Sequence, residues 1–425
     1  MLFKTISQTL NSKKIVYWTM AWVQKYFQTD AMYLAKGGFW LILSQIGSII
    51  LSLLLAIAFA NLLPKEIYGQ YQYVLAITGY LMFFTLPKLS SGAIVRAVAQ
   101  GYEGSFFPAM KTRIRWGMLG GIASLGLAGY YFFNNSLVFA ASFLMIAFFI
   151  PIMEPFSMFR DYLKGKQLFQ PLTKVYLTIQ LLSTAFLILA LFQTDNLLLI
   201  LLVYFTFETF LNLIFSKLTL KKFPPNKKED PKTISYGKHL SVMGILESLA
   251  YRLDLVLLWY FWGAEAVAVY SFACVFPQRI IGFVGGPIHP LVFPKLSQRN
   301  SEELRRNIPK KAFRLFLLLI PMALIYIFLV PFLFKMFFPQ YLDAVLYSQV
   351  FALSILLIPE GFFSLSLMSQ MKIKHMYVNQ LVSPLIQIAL LIILTPLYGI
   401  MGTISALLIA QFSRIGLLIF LFKRM

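Results

Sequence analysis

The feature that most constrains this chain is its succession of long apolar runs joined by short connections. A helix needs about 20 mostly apolar residues to cross the hydrocarbon core of a bilayer. Roughly twelve such stretches occur, near 37–60, 66–87, 115–133, 137–156, 174–193, 196–216, 239–262, 266–293, 312–333, 342–368, 376–395 and 398–421. Composition agrees: 59% of the residues are hydrophobic and 12% are charged, against about 25% charged in soluble domains. A soluble fold lacks the polar surface it would need. A nucleic-acid binder would share the net charge of +21 but not a mean hydropathy of +0.75. The 42 Phe and 22 Tyr are too many for a disordered chain. One cysteine, Cys274, excludes an intrachain disulfide and a Cys-based metal site.

Nearly all of the 37 basic residues fall in alternate connections, between Lys4 and Lys36, Lys88 and Arg115, Arg160 and Lys174, Lys217 and Lys238, and Lys295 and Arg314, then at Lys372, Lys374, Lys423 and Arg424. The opposite connections are short and hold Lys65 and Lys335. Basic connections stay cytoplasmic, which predicts an even number of spans with both termini cytoplasmic. Before the first span there is no secretory signal. Ile15, Trp18, Trp22 and Tyr26 recur at helical spacing beside Lys13, Lys14 and Lys25, the pattern of an amphipathic helix lying on a membrane.

The longest polar stretch, 217–238, divides the chain into an N-terminal segment (1–36), a six-helix half (37–216), a linker and a second six-helix half (239–425). The halves echo one another. Pro64-Lys65-Glu66-Ile67-Tyr68-Gly69-Gln70-Tyr71 leads to Leu86-Pro87-Lys88-Leu89-Ser90, and Gly263-Ala264-Glu265-Ala266-Val267-Ala268-Val269-Tyr270 leads to Phe293-Pro294-Lys295-Leu296-Ser297. With an even number of spans in each half, these are parallel repeats, and transporters place their substrate site between such repeats.

Charges inside the bilayer are costly and therefore informative. Glu154, Glu208, Glu247, Arg252, Asp254, Arg279, Glu360 and Arg414 fall within or at the ends of spans. Glu247, Tyr251 and Asp254 share a face of a continuous helix, and Arg279 shares one with Gly282 and Gly286. Asp254 and Arg279 either pair with each other or leave Arg279 free for a substrate anion. Ser44, Ser48 and Ser52, with Gln45, form a polar stripe on the first span that faces packed protein or a cavity. His239, His289 and His375 have no metal-ligand spacing, and no phosphate loop occurs. Transport fits better than enzymatic chemistry, and no cofactor is implied.

The string Pro64 to Leu75, Gly92-Ala93-Ile94-Val95-Arg96, Tyr236-Gly237-Lys238, Arg252 to Leu258 and the 263–271 and 293–297 strings resemble polysaccharide exporters of the multidrug/oligosaccharidyl-lipid/polysaccharide superfamily, the Wzx-type flippases, over residues 33–423. The resemblance implies a MATE-like all-α membrane protein of the inner membrane. It implies movement of a polyprenyl-diphosphate-linked oligosaccharide to the periplasmic leaflet by alternating access. Arg279 is the first candidate for the head-group contact, followed by Arg252, Arg414, Gln45 and Ser48, with Arg96 at the cytoplasmic mouth. Glu247, Asp254, Glu208 and Glu360 are candidates for ion coupling or for pairing with the arginines. Expected partners are the lipid-linked substrate, membrane lipids, and a polysaccharide polymerase with its chain-length partner, but no nucleic acid; the expected state is monomeric. The rivals are a cation-coupled multidrug exporter and a membrane polymerase or glycosyltransferase, although the outer loops are too short for the latter.

Overall fold

In hydrocarbon there is no water to satisfy backbone N–H and C=O groups, so they pair within helices. The computed structural model describes residues 31–286, 292–293, 296–297, 299–370 and 372–424, and their regular structure is entirely helical. The order is α1 (Ala31–Leu62), α2 (Lys65–Leu81), α3 (Val95–Ala99), α4 (Phe106–Phe133), α5 (Leu137–Ser157), α6 (Phe159–Gly165), α7 (Phe169–Gln193) and α8 (Leu197–Lys222). After the linker come α9 (Thr233–Met243), α10 (Ile245–Tyr251), α11 (Leu253–Gly285), α12 (Ser301–Phe337), α13 (Ala344–Phe351), α14 (Glu360–Ser369) and α15 (Ile373–Lys423). The expected interfacial helix at Ile15 to Tyr26 lies outside the described residues, as do His289, Pro294 and Lys295.

Among the described residues, 8 helices are long and apolar enough to cross a membrane, or 9 when the pair Lys65–Thr85 and Leu89–Ala99, bent by 52°, counts as one. The protein is a multi-pass membrane protein. Two of the long helices fold back on themselves at a glycine with positive φ, Gly263 (φ 79°) in α11 and Gly399 (φ 56°) in α15. Asp254 meets Tyr270, and Thr403 donates to Thr395 at 3.1 Å, across these two points. In a straight helix, residues 254 and 270 would stand about 24 Å apart. The breaks adjoin: Trp262 donates its indole N–H to the Thr395 carbonyl at 2.9 Å, and a Cβ on Gly399 would stand 3.0 Å from the same ring.

One expectation is corrected. The stretch 239–262 is not a continuous helix but breaks at Gly244 and again at Arg252 (φ −126°, ψ 9°). Glu247, Tyr251 and Asp254 therefore do not share one helical face. The second break has a local cause: Asp254 sits in the first turn of α11, where a carboxylate is favoured, and its Oδ1 accepts the Leu255 N–H at 2.8 Å.

The core explains how the helices before and after the linker are joined. At the end of the bundle carrying Lys65, one apolar cluster contains both Phe59, Tyr68, Phe143 and Phe205 from the first set and Phe272, Tyr326, Phe338 and Tyr341 from the second. At the linker end the clusters are separate. Leu89, Phe106 and Met158, with Phe159 and Leu211 nearby, belong to the first set, and Leu304, Ile308, Phe363 and Leu418 belong to the second. The two sets are thus fused at one end and diverge towards the other, although α9 still leans on the first set, with Gly237 against Leu89.

Candidate functional site

The fused end begins at Gly69, which packs directly on the backbone of Ala264, so that any Cβ there would overlap the Ala264 carbonyl. Around this contact Tyr68 lies 4.7 Å from Phe272, and Phe272 lies 4.0 Å from Tyr341, centroid to centroid. Polar contacts rim the seal: Asn61 donates to the Phe337 carbonyl at 2.9 Å and Lys65 pairs with Asp343 at 2.8 Å. The Tyr68 hydroxyl, which accepts from Gln72 at 2.7 Å, marks where the seal ends. Beyond it the two sets face each other across a cleft. Arg279 and Tyr251 are exposed there, Tyr251 at 69%.

Every acidic residue proposed for the membrane layer already has a partner. Glu154 pairs with Arg113 at 3.2 Å, and this guanidinium, 1% exposed, also donates to the Thr85 carbonyl at 2.9 Å and the Glu154 carbonyl at 3.1 Å. Glu208 pairs with Arg160 at 3.1 Å and accepts from Ser183 and Asn212. Glu360 and Arg414 stand 3.6 Å apart within the second set. Glu247 lies at the linker end, 3.8 Å from Lys88 and exposed. Asp254 accepts from Tyr270 and forms no ion pair with Arg279.

Two arginines are left over. Arg279 has no hydrogen bond or carboxylate partner among the described residues and lies within electrostatic range of Tyr68, Tyr176 and Tyr251. Arg252, at the break between α10 and α11, rests over the Tyr251 ring at 4.9 Å and likewise has no carboxylate within ion-pair distance. Its field reaches the Asp254 carboxylate as well as Tyr68, Tyr80 and Tyr204, so the two guanidiniums share one space lined by tyrosines of the first set. Gln45 crosses the cleft, donating to the Gly282 carbonyl at 2.5 Å, one turn from Arg279. Ser48 turns instead towards α7, 3.4 Å from the Tyr176 hydroxyl, while its carbonyl accepts from Gln180. Arg96 is exposed at the linker end, 5.3 Å over the Tyr236 ring. Arg414 instead joins Glu360 in lining a pocket beside Ile281 and Gly285 of α11.

Sequence reasoning missed Arg160, Tyr68, Tyr204 and Tyr270. Arg160 was indistinguishable from the basic residues of a connection. A signal for its surroundings exists in the i, i+4, i+8 stripe Tyr204, Glu208, Asn212. Nothing in the sequence aligns Tyr270 with Asp254, because that contact requires the reversal at Gly263.

The family model for polysaccharide biosynthesis proteins matches residues 34–300. No curated protein matches the chain. Among solved structures, the fold is similar to the lipid II flippase MurJ in its inward closed conformation, with a TM-score of 0.66 at 14% identity over 90% of this chain and 87% of that one. It is also similar to a multidrug resistance MATE family transporter in its inward-facing conformation, with a TM-score of 0.64 at 12% identity over 89% and 94% of the two chains. The outward-facing conformation of such a transporter gives 0.61 at 13% identity over 92% and 95%. With the family model covering most of its length, the chain belongs to the polysaccharide biosynthesis protein family, and its fold is that of the MurJ and MATE structures.

Proposed function

We propose that the protein moves polyprenyl-diphosphate-linked oligosaccharide units from the cytoplasmic to the periplasmic leaflet of the inner membrane by alternating access. The observation that carries this reading is Arg279, a guanidinium with no carboxylate partner among the described residues, with Arg252 beside it in the field of Asp254 but in no ion pair. An unpaired charge in the membrane layer is costly. A diphosphate supplies the missing counter-charge through charge-assisted hydrogen bonds. Tyrosine hydroxyls around the arginines suit a hydroxylated sugar. The same excess of positive charge disfavours the organic cations that a drug exporter of this fold would carry.

The topology proposed with it has twelve spans in two six-helix halves, with both termini and the 217–238 linker cytoplasmic. It is supported by the reversals at Gly263 and Gly399, which each divide one long helix into two arms, and by α4, long enough to be added to the most apolar helices. In this orientation the Lys65 end is periplasmic and sealed, and the cleft opens towards the cytoplasm, where Arg96 meets the arriving head group. A polymerase and its chain-length partner would then receive the translocated unit.

The test is leaflet accessibility of a lipid-linked oligosaccharide in reconstituted vesicles. Arg279→Ala should slow translocation about tenfold or more, the effect of losing one charge-assisted contact, while the protein still inserts in the membrane. Translocation at the unaltered rate in this variant would remove Arg279 from the mechanism.

A further inference from the structure

The polar stretch between the two sets of helices is fastened along its length to the first set. The Phe223 carbonyl accepts from Tyr162 at 3.0 Å. The Asn226 N–H donates to Glu103 at 3.1 Å, and its side chain donates to the Gly101 carbonyl at 2.8 Å. Gly104 donates to the Lys228 carbonyl at 2.9 Å, and the Asp230 N–H donates to the Ser105 hydroxyl at 2.8 Å. Glu103, at the centre of these contacts, is itself paired with Lys166 at 3.0 Å. A flexible linker connects its ends without bonds of this kind.

α9 continues the attachment. It packs on the Leu89–Ile94 segment and on α4, with no room for a Cβ on Gly237 against Leu89, and Thr233 and Ser241 are buried. Two cation–ring contacts flank it, Arg96 over Tyr236 and Lys238 over Trp116, both at 5.3 Å. Its contact with the second set comes at its last residue, where the Met243 sulfur accepts from Tyr377 at 3.5 Å. α10 packs instead on α15 of the second set, where Gln387 donates to the Ala250 carbonyl at 3.1 Å. Between the two helices stands Gly244 (φ −81°, ψ 5°). Two exposed bridges from the first set still reach α10: Tyr80 donates to the Leu249 carbonyl at 2.9 Å, and Lys88 stands 3.8 Å from Glu247.

We propose that residues 223–243 form a strap that moves with the first set, and that the second moving unit begins at Gly244, inside the stretch 239–262. Hinges are a few element-terminal residues that absorb a change in backbone angles, and Gly244 has no Cβ to restrict it. The strap carries Tyr236 with Arg96, so the cationic mouth travels as one piece. The bridges from Tyr80 and Lys88 cross the boundary and are the contacts that give way when the sets rock apart at this end.

The test places spin labels on the full-length protein in nanodiscs, in one sample at Lys111→Cys with His239→Cys and in another at His239→Cys with Arg305→Cys. All three positions are exposed, and Cys274 is buried and stays unlabelled. Double electron–electron resonance reads each distance with Gly69 intact and with Gly69→Val, which forces α2 away from α11. Should Gly69→Val fail to fold, Lys65→Ala takes its place. The 111–239 distribution should be narrow and keep its mean, whereas the 239–305 distribution should be broader and should shift when the seal is disturbed. Equal widths and equal shifts in the two pairs, whether both fixed or both mobile, would overturn the proposal. So would a 111–239 distance that shifts while 239–305 holds. No cargo takes part in this measurement, so its outcome is separate from that of the leaflet-accessibility test.

Discussion

Asp254 accepts its hydrogen bond from Tyr270, 16 residues along the chain, and forms no ion pair with Arg252, which stands two positions away. This choice of partner keeps the Arg252 guanidinium available to the cleft. Tyr270→Phe removes the donor and leaves the buried carboxylate to draw Arg252 towards it. The variant should lose about 2 kcal/mol of stability and translocate more slowly, whereas Tyr270→Phe combined with Asp254→Asn should recover part of both. Thermal melts and leaflet-accessibility rates on the four proteins of this cycle decide it; an unchanged rate in Tyr270→Phe would mean that Arg252 does not act in the cleft.

Gly69 tests the seal. Because any Cβ at this position overlaps the Ala264 backbone, Gly69→Val must push α2 away from α11. Overpacking of this kind typically costs about 1–3 kcal/mol. Spin labels placed near Asn61 and Phe337 should move apart in the variant, and the population closed at the Lys65 end should fall. An unaltered distance distribution would show that this contact does not hold the seal.

The rim of the seal behaves differently. Lys65 and Asp343 are partly exposed, 27% and 51%, at 2.8 Å. Removing either is expected to change overall stability by less than about 1 kcal/mol, while raising the fraction open at that end. The same spin-label pair reads this fraction directly in Lys65→Ala.

Arg113 is the most deeply buried charge among the described residues, and Glu154 is its ion-pair partner. Breaking a buried pair by removing one member leaves an unpaired charge and costs about 3–5 kcal/mol. Glu154→Leu should therefore sharply reduce the amount of folded protein recovered from membranes. A double replacement of Arg113 and Glu154 by apolar residues of similar volume should be milder than Glu154→Leu, as measured by monodispersity and melting temperature.

The linker carries a pH dependence. Burial alone would raise the Glu103 carboxyl, but the hydrogen bond and charge of Lys166, the Asn226 N–H and the Tyr162 hydroxyl outweigh it and hold it below the usual carboxylate range. A carboxylate with a lowered folded-state value contributes stability that is fully present above its unfolded value and is lost as the pH falls through the folded one. Wild type should melt above Glu103→Gln at neutral pH, and the difference should shrink as the pH falls below about 4. A constant difference across that range would show that the carboxylate charge does not pin the linker to the first set.

The sequence by itself determined the solvent, the class of fold and the family. Apolar runs of bilayer length leave only helices, because backbone groups in hydrocarbon must pair locally, and the short strings at 64–75 and 252–271 carry the family resemblance. It also marked Arg279, Arg252, Glu208 and Glu360 as unusual, because the cost of charge in lipid depends on residue type and depth alone. What it could not determine was pairing. Whether a charge is spent or available depends on contacts between residues far apart in the chain, and these were set by the reversal at Gly263, the break at Arg252 and the fusion of the two helix sets at Gly69 and Ala264. Tertiary structure therefore decided that Glu208 is spent on Arg160, that Arg414 pairs with Glu360, and that Arg279 and Arg252 form no ion pair among the described residues.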